Sequence, residues 1–261
     1  MPKVFIIVLH YKNWKDTKGC LKSLKKIDYD NFKVLVVDND KENRGFAGGN
    51  NIGIKKALKE KVDYVLLLNN DTVVEPIFLK ELVKIGESNE KNGILGPIGG
   101  KINWLYTKGK HINNLKLKIK NLKLIETDYI SGVCMLVKRS VIEKIGLMPE
   151  DYFLYFEDVD WCLRARKIGY KCVLVPKAKI WHKVSSSAKA GSFSYIYYHL
   201  RNGLLLAKRH APFFIKILAY FVSFLVYLKQ LIKPPSKWTK AIKLGIRDFY
   251  KGRFGKYENW Y

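Results

Sequence analysis

A doubly wound α/β fold with a mostly parallel central sheet is predicted for this 261-residue chain by three features of its first third. Three nearly continuous apolar runs stand there: VFIIVLHY (4–11), KVLVVDND (33–40) and YVLLLNND (64–71). Segments with helical apolar spacing separate them, and each run turns polar at its end. Continuous β-branched and leucine-rich runs are how strands covered on both faces read. Strands alternating with helices require right-handed crossovers and therefore parallel pairing.

The elements follow in order. Trp14, Leu21, Leu24 and Ile27 mark the inner face of a first helix, and Ile52, Ile54, Ala57 and Leu58 that of a second. Phe78, Leu79, Leu82, Val83 and Ile85 mark a third, with Pro76 near its start. The segment NNLKLKIKNLKLIE (113–126) alternates apolar and polar residues about Asn121, which predicts a hairpin or edge strand with one wet face. A buried strand is expected over 131–137, then a short helix closed at Gly146. In YFLYFEDVDWCLRARKIGYK (152–171) a helix begins at the acids and ends before Gly169, with Val159, Cys162, Leu163 and Ile168 inward and Asp160 paired to Arg164. A strand or strand pair follows, ending at His182.

The formal charge of +25 calls for an anionic partner: a phosphorylated ligand, an anionic membrane surface or nucleic acid. Residues 183–261 carry 15 Lys or Arg against 2 acids. No helix-turn-helix, RNP-type or zinc-finger pattern accompanies the charge, so nucleic acid is not the expected partner. An apolar content of 48% excludes a disordered chain. Cys20, Cys134, Cys162 and Cys172 lack CxxC spacing and read as buried free thiols, a Cys162–Cys172 disulfide being the alternative. No signal-peptide cleavage pattern follows the first apolar run. In FFIKILAYFVSFLVYLKQLI (213–232) the uninterrupted apolar part is shorter than the roughly 20 residues of a membrane span. Lys216 and Lys229 bracket it. An in-plane interfacial helix or hairpin is expected, and packing on the rest of the chain or on a second copy is the alternative.

The chemistry lies at the strand ends, where open α/β sheets bind ligands. His10-Tyr11, Asp38-Asn39 and Asn69-Asn70-Asp71 occupy those ends. Asp71 could instead cap a helix after Thr72. Gly45, Gly48, Gly49 and Gly53 precede and enter the second helix, which suits either close backbone approach to a nucleotide or packing alone. The pattern is neither GxGxxG nor GxxxxGK[ST]. Glu157 and Asp158 stand at a helix start. Burial and mutual repulsion raise one carboxyl there, the helix terminus lowers it, and a general base is one outcome. Ordinary dipole partners are the other.

Six stretches in this order resemble family-2 glycosyltransferases, the inverting nucleotide-sugar enzymes of GT-A fold, and among them the rhamnosyltransferase-like branch. They are VVDND, ENRGFAGGNNIGI, LLLNNDTVV, SGVCMLVKRSVIEKIG, YFLYFEDVDWCLRARKIGYK and WH. The tail segments YYHLRNGLLLAKRH and GIRDFYKGRFGKY share the resemblance. It implies a catalytic domain over 1–200, with a nucleotide-sugar half (1–100) and an acceptor half (101–200). A basic, aromatic-rich helical extension follows over 201–261. The resemblance implies that Asp158 is the catalytic base, with Glu157 beside it. His10, Tyr11, Asp38, Gly45, Asn51, Asn69, Asn70 and Asp71 would bind the nucleotide sugar. Asp71 and His182 would hold Mg²⁺ or Mn²⁺. Asn69 replaces the first acid of the family's DXD motif, which leaves one charged ligand fewer. The implied partners are a dTDP-rhamnose-like or UDP-hexose donor, a glycan or lipid-linked glycan acceptor, and an anionic membrane. A homodimer is also admitted. The implied location is cytoplasmic, at the inner face of the cell membrane. A nucleic-acid-binding protein and an inactive sugar-nucleotide-binding scaffold are the competing readings.

Overall fold

The three apolar runs become β1 (Val4–His10), β2 (Phe32–Asp38) and β3 (Tyr64–Asn69). In the computed structural model, which describes residues 1–104, 108–113, 125–183 and 191–258, both β2 and β3 pair in parallel with β1. The intervening helices are α1 (Trp14–Leu24) and α2 (Gly45–Lys59). A short β4 (Thr72–Val74) follows β3, and α3 (Phe78–Glu87) starts only later, so Asp71 caps no helix.

The chain continues through β5 (Asn92–Gly96), β6 (Ile98–Asn103), β7 (Lys108–Asn113), β8 (Ile125–Thr127) and β9 (Tyr129–Ile130). Then come β10 (Cys134–Lys138), α4 (Arg139–Ile145), α5 (Glu157–Lys167), β11 (Lys171–Leu174) and β12 (Ile180–His182). The seven-stranded sheet has the order β2-β1-β3-β10-β5-β11-β8. β10 runs antiparallel between β3 and β5, and β8 is an antiparallel edge beside β11. The pleat divides β1 between two cores. Phe5, Ile7 and Leu9 face α2, whereas Val4, Ile6 and Val8 join the core of α1 and α3.

Several local expectations change. The strand expected over 131–137 is broken by a turn at 131–133 between β9 and β10. Ile168 is exposed; Trp161 is the large buried side chain of α5, and its indole N–H donates to the Gly146 carbonyl at 2.9 Å. Trp14 is not core either, and stacks on His10 at 3.9 Å. The Asp160–Arg164 pair forms at 3.1 Å. All four cysteines are free and buried. Of the alternating segment 113–126, residues 114–124 lie outside the described residues.

The C-terminal part is α6 (Phe193–His210), α7 (Phe213–Leu231) and α8 (Lys237–Tyr250). α6 runs unbroken through residue 200, so a boundary drawn there divides a helix. α6 and α8 pack closely: a Cβ on Gly245 would stand 2.8 Å from the Tyr197 carbonyl oxygen. α7 attaches to α8 along one stripe, with Ser223 Oγ 2.9 Å from the Tyr250 hydroxyl and that hydroxyl donating to the Tyr220 carbonyl at 3.0 Å.

Candidate active site

Because β10 is antiparallel to β3, the start of one lies beside the end of the other. The Asn69 N–H donates to the Val133 carbonyl at 2.9 Å, and Cys134 stands opposite Leu68. The turn at 131–133 thereby reaches the edge that carries Asn69, Asn70 and Asp71. From that turn the Gly132 N–H donates to Asp158 Oδ2 at 2.8 Å, while Oδ1 accepts from the Val159 N–H at 2.8 Å. Asp71 and Asp158 line one cleft of about 2340 Å³. Single-ligand sites occupy roughly 300–1,000 Å³, so this cleft has room for two substrates.

A second pairing places the histidine. β12 runs antiparallel to β4 with His182 opposite Thr72, and the Lys183 N–H donates to the Asp71 carbonyl at 3.1 Å. His182 Nε2 then stands 3.0 Å from Asp71 Oδ1. Asp71 is only 8% exposed, which a carboxylate tolerates because a polar partner waits at the strand end. The Thr72 hydroxyl donates to the Asn69 carbonyl at 2.6 Å and the Asn70 amide to Thr17 Oγ1 at 2.9 Å, fixing the backbone around Asp71.

The ends of β1 and β2 form the other part of the cleft. Tyr11, Asn39, Asp40 and Asn43 line it, and the Asn43 amide donates to the Tyr11 hydroxyl at 3.1 Å. His10 is fully buried, with Nδ1 2.7 Å from Thr17 Oγ1 and Nε2 3.3 Å from Asp40 Oδ2 without a hydrogen bond. His10, Asp38 and Asp40 bring ligand atoms within 4.8 Å of one another. Asp38 itself is exposed and outside the cleft lining.

Most of the glycine-rich stretch is packing. A Cβ on Gly49 would lie 2.5 Å from Leu9 and one on Gly53 2.7 Å from Ile7, so these glycines seat α2 on β1. Gly45 lines the cleft at φ 72°, where an L side chain is strained. Asn51 lies away from the cleft: its amide donates to the Met148 carbonyl at 2.9 Å and Glu150 Oε1 at 2.8 Å.

The loop before α5 is strained. Phe153, Tyr155 and Phe156 have φ of 62°, 70° and 75°, each costing about 1–3 kcal/mol. Two buried residues of α6 hold it. The Asn202 amide reaches the carbonyls of Tyr152, Leu154 and Tyr155 at 2.9, 2.7 and 3.1 Å. Arg201 donates to the Tyr152 carbonyl at 3.0 Å and the Gly255 carbonyl at 2.8 Å. Sequence reasoning assigned neither residue a role. The available signal was an Arg-Asn pair interrupting an apolar helix face.

Glu157 is 4% exposed, and its Oε2 has no hydrogen-bond partner. Burial, then the charge of Asp158, pushes its carboxyl well above the ordinary range. A raised carboxyl contributes full stability below its unfolded value, about pH 4, and loses that contribution as pH rises toward the folded value. Glu157→Gln, which mimics the neutral acid, should therefore match the wild type in acid and unfold at higher temperature at neutral pH. Thermal midpoints across pH measure this; a midpoint below wild type at neutral pH would contradict a raised Glu157 carboxyl.

The family model of glycosyltransferase-like family 2 matches residues 1–202. A low-salt glycan biosynthesis hexosyltransferase of Haloferax volcanii is 30% identical over 193 residues, covering 62% of this chain and 61% of that protein. This chain thus spans under two thirds of that relative's length. A dTDP-rhamnosyl transferase of Shigella flexneri is 27% identical over 248 residues, covering 81% and 82%. Among solved structures, a mannosyltransferase of Pyrobaculum calidifontis, in complex with GDP-Man and Mn²⁺, superposes with a TM-score of 0.60. It is 16% identical, with 96% of this chain and 74% of that one covered, a likeness of fold. With a GT-A-like sheet, an acid pair at the start of α5 and a family match across most of its length, the chain belongs to glycosyltransferase-like family 2.

Proposed function

We propose that the chain is an inverting glycosyltransferase, moving a sugar from a nucleoside-diphosphate sugar to a hydroxyl of a glycan or lipid-linked glycan. The observation that carries this is Asp158, held by the Gly132 N–H at the turn beside Asn69–Asp71, so that a carboxylate and a polar strand end share one cleft. In this reading Asp158 takes the proton from the acceptor hydroxyl as its oxygen attacks the anomeric carbon from the face opposite the leaving group. In this reading Tyr11, Asn39 and Asn43, which line the cleft, meet the nucleotide. Family resemblance favours a dTDP-rhamnose-like donor, with a UDP-hexose next.

The side chains fit a divalent cation. Asp71 and His182 form a mixed carboxylate–imidazole donor pair inside the cleft. The ion, when bound, supplies charge stabilisation for the departing diphosphate. The His10–Asp38–Asp40 group is a second candidate holder, and its buried Nε2 without a hydrogen bond supports it.

α7 supports a peripheral membrane site at the inner face of the membrane. Among the described residues it alone is long and apolar enough to cross a bilayer. Its attachment along α8 favours lying in the membrane plane.

The test is nucleoside diphosphate release from dTDP- and UDP-sugars, with Mn²⁺ or EDTA. Turnover with one donor, lost in EDTA and in Asp71→Ala but kept in Asp40→Ala, supports the reading with the first ion site. Loss in Asp40→Ala alone moves the ion to the second. No release and no sugar-nucleotide binding would overturn the proposal.

A further inference from the structure

A second pocket, of about 440 Å³, opens at the end of the sheet away from the cleft. Its position follows from the strand directions. β10 is antiparallel to both β3 and β5, and β11 is parallel to β5, so β5 and β11 begin at the edge where β3 begins. There the Lys171 N–H donates to the Lys91 carbonyl at 2.7 Å, which brings both lysines to one rim. The last turn of α5 adds Arg166 and Lys167, and the end of α6 adds His210. No residue lines both this pocket and the cleft.

Four cationic side chains therefore share the lining with one acid, Glu126. Lys171 pairs with Glu126 at 3.1 Å, and Arg166 pairs with Asp128. Lys91 and Lys167 have no ion pair among the described residues, so positive charge is left over. Basic residues in a last helical turn answer the helix dipole. That explains Arg166 and Lys167, but neither the lysines at the strand starts nor His210.

The His210 side chain is 6% exposed, and its Nε2 stands 3.0 Å from Asp160 Oδ2. An ionised carboxylate only accepts, so Nε2 carries the proton of that bond. Nδ1 is buried and has no hydrogen-bond partner among the described residues. With Nε2 turned to Asp160, Nδ1 is the polar atom of the ring left to meet a ligand. A buried nitrogen of this kind gains stability from a group that supplies the missing bond. A phosphate does so in either state of the ring. Its P–OH donates to a bare Nδ1, and its P–O⁻ accepts from a protonated one. The lining also has an apolar part in Leu163 and the Tyr170 ring. The volume lies within the roughly 300–1,000 Å³ of single-ligand sites, more than a bare ion fills.

We propose that this pocket is a second binding site of the chain, which takes a phosphate group, free or carried by a small polar molecule, between Lys91, Lys167 and His210.

The test is calorimetric titration of the full chain with inorganic phosphate, with glucose 1-phosphate and, as the neutral control, with glucose. Expected is one phosphate-dependent site per chain and no binding of glucose. Lys91→Ala with Lys167→Ala should weaken it at least about tenfold, the factor that one charge-assisted hydrogen bond supplies. Lys55→Ala with Lys59→Ala removes the same charge from exposed positions of α2 and should leave the affinity within about twofold. The imidazole resonances of His210 should shift as the wild type is titrated. Tighter binding of glucose 1-phosphate than of phosphate assigns a phosphomonoester to the pocket, and equal binding assigns the free ion. Equal weakening in both double variants would reduce the binding to diffuse surface charge and overturn the proposal. So would the absence of binding by either phosphate, or His210 resonances unmoved at saturation. Sugar-nucleotide binding, measured in the same variants, should be unchanged; its loss in parallel with phosphate binding would move the phosphate into the cleft and overturn the second site.

Discussion

Asp158→Asn is expected to lower sugar transfer by about 10²–10⁴-fold, the range general-base catalysis contributes. Sugar-nucleotide affinity should stay within about twofold, because the loss falls on the transition state. Asparagine keeps one oxygen to accept the Gly132 N–H and gives up the bond from the Val159 N–H, so the link between the turn and α5 stays in place. What it lacks is the capacity to take a proton. Single-turnover rates with saturating donor, beside a binding isotherm for the donor, separate the two effects. A variant that transfers at the wild-type rate removes Asp158 from the chemistry and returns the site to Glu157 or to a group outside the acid pair. A variant that loses donor binding as strongly as transfer gives Asp158 a binding role instead.

The second large effect concerns stability. Asp160, 1% exposed, accepts from the Tyr152 hydroxyl at 2.9 Å and pairs with Arg164, Arg209 and His210 at 3.1, 3.3 and 3.0 Å. It joins α5 to the end of α6, just before α7 begins. Asp160→Ala leaves this group of cationic and hydrogen-bonding side chains without its central acceptor. Removing one member of a buried pair costs about 3–5 kcal/mol, so the urea midpoint should fall sharply. Burial alone would raise the Asp160 carboxyl, but the hydrogen bond and charge of His210, the Tyr152 hydroxyl and Arg164 outweigh it and hold it below the ordinary range. The sign follows from that depression. The stabilisation is complete above the unfolded value of about 3.9 and disappears as pH falls through the lower folded value. The wild type should lose its advantage over Asp160→Ala in acid. An advantage that stays constant across pH would show packing, and not the ionised carboxylate, to be the source. Because α5 also carries Asp158, transfer should fall too, but less than in Asp158→Asn.

These two aspartates, two residues apart, show how much was legible in the chain. Both could be read as first-turn acids of one helix, since a run of acids after aromatic residues and before a gapped apolar pattern is a local signal. Their division of labour could not. Asp158 takes its hydrogen bond from Gly132, and beyond the Arg164 expected from i,i+4 spacing Asp160 takes partners from residues 209 and 210; no periodicity records these distant contacts. The glycine-rich stretch is similar. Four glycines running into a helix suit a phosphate or a close-packed strand equally well, and only the contacts of Gly49 with Leu9 and Gly53 with Ile7 distinguish them. Asn51 looked like part of a ligand loop and is spent on the segment at 148–150. Arg201 and Asn202 went unread because their work, satisfying carbonyls of a loop with positive φ, exists only once that loop is folded.

The sequence alone determined the layers, the polar strand ends, the acid pair and the lysine-bracketed apolar run of the tail. Each is a pattern within one segment, set by side-chain period and burial. The tertiary structure decided which segments meet. Apolar strands of similar length can pair in many orders at similar energy, so nothing local placed β10 antiparallel between β3 and β5, or β12 against β4. Those two pairings bring Gly132 to the edge of Asp71 and His182 onto its carboxylate, and so make one cleft from residues spread over more than a hundred positions of the chain.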